Sequence, residues 1–222
     1  GPSPMVPGPY GLMPAPQPIP PQMRPAPKRP WLVLAGALLL IGLGAIAPLM
    51  ALVFFVLLNA LARAWQRSWV SMTRSRERGA GGGATSAGLI TLAIPRFAWG
   101  LVESIMLALF PVVAALVVIV VADAICGWAL GIVVPLSVYG AFLLFMTVGL
   151  CWIGIDGRTT RYGAHRVTDA AAPDRMWTAL LGGMLVVLLI AVVITLMTLG
   201  GGIDYFPYVG QFRFEDIAPW RH

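Results

Sequence analysis

Long apolar runs and short polar runs alternate along the chain. The first apolar run, Trp31 to Ala62, holds 32 residues without a charge. Residues 97–122, 133–153 and 177–199 form three more. About 20 apolar residues are enough to cross a bilayer. One straight helix of 32 residues would run about 48 Å at a rise of roughly 1.5 Å per residue, against about 30 Å of hydrocarbon. Two readings fit that length. A single long helix would have to tilt steeply. A hairpin needs a break, and Gly42, Gly44 and Pro48 offer one near the middle, since proline removes a donor and clashes with the preceding turn. Its halves, about Trp31–Ala45 and Pro48–Ala62, are short for full spans.

The charges at the ends of these runs favour the hairpin. Arg24, Lys28 and Arg29 precede the first run, and Arg63, Arg67, Arg74, Arg76 and Arg78 follow it. Flanking Lys and Arg stay on the cytoplasmic side, so both ends of residues 31–62 are expected inside. Five crossings then put 13 of the 15 Lys/Arg inside, and leave two outside with four acidic residues. The expected fold is an all-α integral membrane domain over residues 31–203, its first two crossings a short helical hairpin. It would sit in the plasma membrane with the N-terminus cytoplasmic and the C-terminus outside.

The periodicity changes after Ala62. Leu61, Trp65, Trp69 and Met72 recur at helical spacing while the arginines fall largely on other faces. This predicts an amphipathic helix over 63–78, lying along the headgroups. GAGGGATSAG, residues 79–88, reads as a flexible linker. Its Gly79, Gly81 and Ala84 fit a dinucleotide fingerprint only by spacing, because no strand precedes them. Pro95 suits the first turn of the next helix, and Pro111 would kink it. Asp123 is expected to be a solvated boundary at the outer end. Residues 156–175 read as a basic cytoplasmic loop, with His165 solvated. Gly182 and Gly183 would allow close helix approach. Trp31, Trp65, Trp69, Trp99, Trp128, Trp152 and Trp177 mark the two interfaces as anchors.

Residues 1–30 contain 12 prolines. That density argues against helix and sheet and for a disordered, extended linker. Pro18, Pro21 and Pro25 are candidate contacts for a proline-recognising domain. The chain begins Gly-Pro, which is read as a processed, tagged or cut end. The tail, residues 204–222, is aromatic and slightly acidic, and is expected on the outer face.

Composition narrows the function. Only 11 % of residues are charged and 59 % are hydrophobic, well below the charge of soluble domains at about 25 %. The net charge of +6 follows topology and points to anionic headgroups rather than nucleic acid. Cys126 and Cys151 lie near opposite ends of consecutive spans, so no disulfide joins them. Phosphate loops, zinc-protease helices, nucleophile elbows and paired-cysteine sites are missing from the sequence. Catalytic residues, cofactors and metals are therefore expected to be none. The candidate intramembrane functional residues are Glu103 and Arg96, seven positions apart and on one helix face, because ionisable groups at depth are costly. Ser137, Tyr139, Thr147, Thr195 and Thr198, sparse polar residues within spans, are expected to bond helix carbonyls.

The order of features resembles the C-terminal membrane region that follows the catalytic domain in some actinobacterial serine/threonine protein kinases. A proline-rich linker leads to a Trp-led hairpin and an arginine-rich helix with Trp65 and Trp69. IPRFAWGLVESIMLALFP and CWIGIDGRTTRYGAHR carry the local similarity. The likeness spans about residues 25–200. It implies a non-catalytic anchor or signalling module tethering an upstream kinase domain, with no kinase residue in this chain. The other classes left open are a small transporter or channel component, with Glu103 near its pathway, and an orphan structural membrane protein.

Overall fold

The computed structural model describes residues 5–8, 11–14, 29–77, 82–154 and 157–204. Ahead of the helices lies a short antiparallel pair, β1 (Met5–Gly8) and β2 (Gly11–Pro14), with Met5 opposite Pro14. The expectation that proline excludes sheet from residues 1–30 is corrected there. In a two-stranded ribbon every strand has a free edge, where a residue without an N–H does no harm. The candidate contacts Pro18, Pro21 and Pro25 lie outside the described residues.

Among the described residues six α-helices follow: α1 (Pro30–Ile46), α2 (Pro48–Glu77), α3 (Gly82–Ile125), α4 (Leu136–Ile153), α5 (Gly157–Ala171) and α6 (Arg175–Leu199). Among the described residues four segments are long and apolar enough to cross a membrane: Pro48–Arg74, Ile94–Leu130, Leu136–Ile153 and Arg175–Leu199. The shorter α1 has 17 residues, about 25 Å of helix at 1.5 Å per residue.

The first apolar run is broken, in favour of the hairpin. The break sits at Ala47, whose φ of −137° and ψ of 81° leave the helical region, as expected for a residue before proline. Gly42 and Gly44 are not the break. They lie inside α1 where it crosses other helices. A Cβ on Gly42 would stand 2.7 Å from Val192 of α6, and one on Gly44 would stand 2.9 Å from the Gly140 carbonyl of α4. Small residues let helix backbones approach where side chains would hold them apart. Gly182 does the same for a side chain, seating the Trp31 ring, while Gly183 faces open space.

The connections gather at two ends of the bundle. At one end the Asp204 N–H donates to the Ile46 carbonyl at 2.6 Å, and the Ser137 N–H to the Gly201 carbonyl at 3.2 Å. At the other, Arg29 reaches Asp169 of α5 and Thr178 of α6, and Arg63 of α2 reaches Thr160 of α5. We call the second end the base. Between the ends, Ala51, Phe55, Ala108, Ala115, Ile119, Leu143 and Leu144 form the core of α2, α3 and α4. Thr147, Thr195 and Thr198 return their hydroxyls to carbonyls of their own helices. Tyr139 instead donates to Asp123 at 2.9 Å.

Several sequence expectations need correction. Residues 82–88 of the supposed linker are the start of α3. A helix already nucleated extends without a second nucleation cost, so it can carry glycines at about 1 kcal/mol each relative to alanine. Pro95 therefore lies inside α3, not in its first turn, and Pro111 is also internal. A π-helical turn, Cys126–Leu130, extends α3 and stops at Gly131, whose φ of 63° suits glycine. Pro135 caps α4 from outside. Residues 157–171 are the helix α5, not a loop. Asp123 is 2 % exposed, not solvated, because the Tyr139 hydroxyl meets it inside the α3–α4 contact. Tyr139→Phe should cost about 1.5–3 kcal/mol, the value of a hydrogen bond to a charged group. Thermal unfolding in detergent checks this, and an unchanged midpoint would show the bond to be idle. The aromatic residues 205–222 lie outside the described residues.

Candidate functional site

The base is organised around α2 between residues 59 and 67. Asn59, Arg63 and Arg67 recur every four residues and share one helix face. Two glycines let the neighbours close on that backbone. A Cβ on Gly100 of α3 would stand 3.0 Å from the Ala60 carbonyl, and one on Gly163 of α5 would collide with the Ala62 carbonyl. Within α5, Gly157, Thr160, Gly163 and Arg166 are the buried positions. They are spaced by threes, which puts them along one face.

Arg63, 2 % exposed, is the centre of this junction. Its Nη1 donates to Glu103 Oε2 at 3.0 Å and its Nη2 to Thr160 Oγ1 at 3.3 Å. Thr160 in turn donates to Asn59 Oδ1 at 2.9 Å. Arg67 also pairs with Glu103 Oε2, and the Trp99 indole donates to Oε1 at 3.2 Å. One carboxylate thus binds two guanidiniums and an indole, and ties α2 to α3 while Arg63 ties both to α5. A buried charge needs this kind of saturation to be tolerated.

Arg96 is not part of that cluster. Its Nη2 donates to Ser71 Oγ at 3.1 Å and its Nη1 to Ser68 Oγ at 3.5 Å. The helix turn does place Arg96 and Glu103 on the α2 side of α3, but each meets a different part of α2. The arginine partners of Glu103 come from α2. Their four-residue recurrence with Asn59 was visible in the sequence, although it reads there as a charged flank.

Of the seven indoles expected as interface anchors, Trp31, Trp65, Trp99, Trp128 and Trp177 are exposed. Trp69 and Trp152 are packed into the base. The Arg166 guanidinium lies 3.2 Å from the Trp69 ring centroid, a cation–π contact. Burial pushes the proton affinity of Arg166 down, and Tyr162 pulls it the other way. Trp152 meets His165 edge-on at 6.3 Å, so that histidine is packed rather than solvated. Both cysteines are free thiols. Among the described residues, no group of three or more His, Cys, Asp or Glu side chains is placed to hold a metal.

Finally, Arg29 closes the base where the proline-rich segment enters it. Its Nη1 donates to Thr178 Oγ1 at 2.6 Å and its Nε to Asp169 Oδ1 at 3.4 Å. Comparison of the chain with family models, with curated proteins and with solved structures returns no match.

Proposed function

We propose that the chain is a multi-pass membrane anchor that holds an upstream cytoplasmic domain against the inner face of a bacterial plasma membrane. α1, the apolar part of α2, α3, α4 and α6 would make five crossings, with the base inside and the C-terminus outside. The observation that carries this reading is the Arg29 clamp. The last residue before α1 is tied by side-chain bonds to α5 and α6, so the point of attachment is fixed relative to the bundle. A pull or rotation of the linker would reach α5 directly.

The upstream domain we favour is a serine/threonine protein kinase, on the strength of the resemblance in IPRFAWGLVESIMLALFP and CWIGIDGRTTRYGAHR. The saturation of Glu103 by three donors supports a structural part for it and weighs against a carboxylate moving along a transport pathway.

A fluorescent reporter fused ahead of residue 1 and expressed in bacteria tests the proposal. The fusion should stay in the membrane pellet through an alkaline carbonate wash. Its reporter should resist protease in intact cells and be cleaved once the cells are opened. A washed-off fusion, or a reporter cut in intact cells, would overturn it.

A further inference from the structure

We infer that Ser68, Ser71 and Arg96 form a binding site for the phosphate of an anionic phospholipid on the cytoplasmic leaflet. The inference rests on the membrane reading above and adds a specific headgroup site to it.

The chemistry starts from Arg96. Among the described residues it has no carboxylate within ion-pair distance. Its guanidinium is spent on two neutral hydroxyls, Ser71 at 3.1 Å and Ser68 at 3.5 Å. Each serine oxygen accepts from Arg96, which leaves its own O–H to donate elsewhere. Thr73 and Thr168 return such a proton to a carbonyl of their own helix. Ser68 and Ser71 show no such bond among the described residues. Arg96 is itself only half-buried and has further N–H groups to offer. The cluster thus combines one fixed positive charge with three sets of outward donors and no internal anion. A guanidinium flanked by hydroxyls suits a tetrahedral phosphate, which accepts several donors at once.

Depth selects the source of that phosphate. Trp65 stands three residues before Ser68 on α2, and Trp99 three residues after Arg96 on α3. Both are exposed, at 44 % and 62 %. The two helices run in opposite directions, so both indoles lie about one turn, roughly 4.5 Å, from the serine–arginine cluster toward the apolar middle of the bundle. Indoles settle at the headgroup boundary. A cluster one turn outside them stands where lipid phosphates are. The Arg96 charge, which meets no carboxylate among the described residues, favours anionic over zwitterionic lipid.

Native mass spectrometry of the purified full chain in neutral detergent tests the site. The chain is titrated with phosphatidylglycerol, with phosphatidylcholine, or with phosphatidylglycerol in the presence of inorganic phosphate. Phosphatidylglycerol should be retained in preference to phosphatidylcholine. Arg96→Gln should lower that retention about fivefold, the effect of one arginine at a charged surface. Ser68→Ala with Ser71→Ala should lower it about fivefold as well, the loss of two hydroxyl bonds at the low end of their range. Arg158→Gln, at an exposed position of α5, should leave it unchanged. If Arg96→Gln does not fold, the double serine variant decides the matter. Equal retention by these variants, or no preference for the anionic lipid, would overturn the site. Displacement of the lipid by millimolar phosphate would also overturn it, by pointing to a free anion. A chain that resists carbonate extraction yet shows no headgroup preference would sink only this site and leave the membrane reading standing.

Discussion

Glu103→Leu should destabilise the bundle by about 3 kcal/mol, within the range for breaking a buried ion pair by removing one partner. Arg63 is 2 % exposed and enclosed by α2, α3 and α5. The substitution takes away the carboxylate that Arg63 meets at 3.0 Å. The loss should appear as a lower thermal midpoint in detergent and as earlier protease cutting around α5. Glu103→Gln keeps an acceptor in place and should cost less. The second half of the test is Arg63→Met added to Glu103→Leu. It removes the charge that Glu103 met and should recover part of the stability, as apolar replacements of buried pairs do. If Glu103→Leu alone unfolds at the wild-type temperature, the junction does not hold these helices together.

Replacing Gly140 by isoleucine should be at least as damaging, through sterics rather than charge. A Cβ there would run into the Gly44 carbonyl oxygen, and backbone cannot swing aside as a side chain tip can. α1 and α4 would have to separate along their whole contact, at a cost of about 3 kcal/mol or more. Two other glycines in the same helices supply the control. Gly36 in α1 and Gly149 in α4 meet nothing within 4 Å of an added Cβ. Isoleucine at either should leave the yield of monodisperse protein unchanged, while Gly140→Ile should reduce it sharply. Equal behaviour of all three variants would mean that α1 and α4 do not cross at these glycines.

The sequence made the large apolar units legible because charge and length are read directly. Residues 31–62 were expected to break near the middle, and they break at Ala47. The glycines nearby mislead, since a glycine that weakens a helix also lets another helix approach. Gly44 does the second, and only the partner position, Gly140, reveals it. The helix α5 was hidden for a similar reason. Its buried face is built from Gly157, Thr160, Gly163 and Arg166, which carry almost no apolar signal. The spacing by threes was present, but small residues bury themselves only when a neighbour supplies the other surface, here the backbone of α2.

The base was half legible. Glu103 stood out as an ionisable group within an apolar run. Which arginines it meets depends on how far α2 and α3 slide past each other, set by Gly100 against Ala60. That register brings Arg63 and Arg67 to Glu103 and leaves Arg96 with Ser68 and Ser71. Asp123 shows the limit from the other side. Its position at the end of an apolar run suggests solvent, yet Tyr139 on the next helix takes it into the contact.

The most direct measurement is a two-position labelling map. Cys126 and Cys151 are replaced by serine, and single cysteines are placed at Pro173, exposed at the base, or at Ile132, exposed at the opposite end. A membrane-impermeant maleimide applied to intact cells should label the cysteine at position 132 and leave the one at position 173 unreacted until the membrane is opened. Labelling of position 173 in intact cells, or of both positions alike, would contradict a bundle whose arginine-rich base faces the cytoplasm.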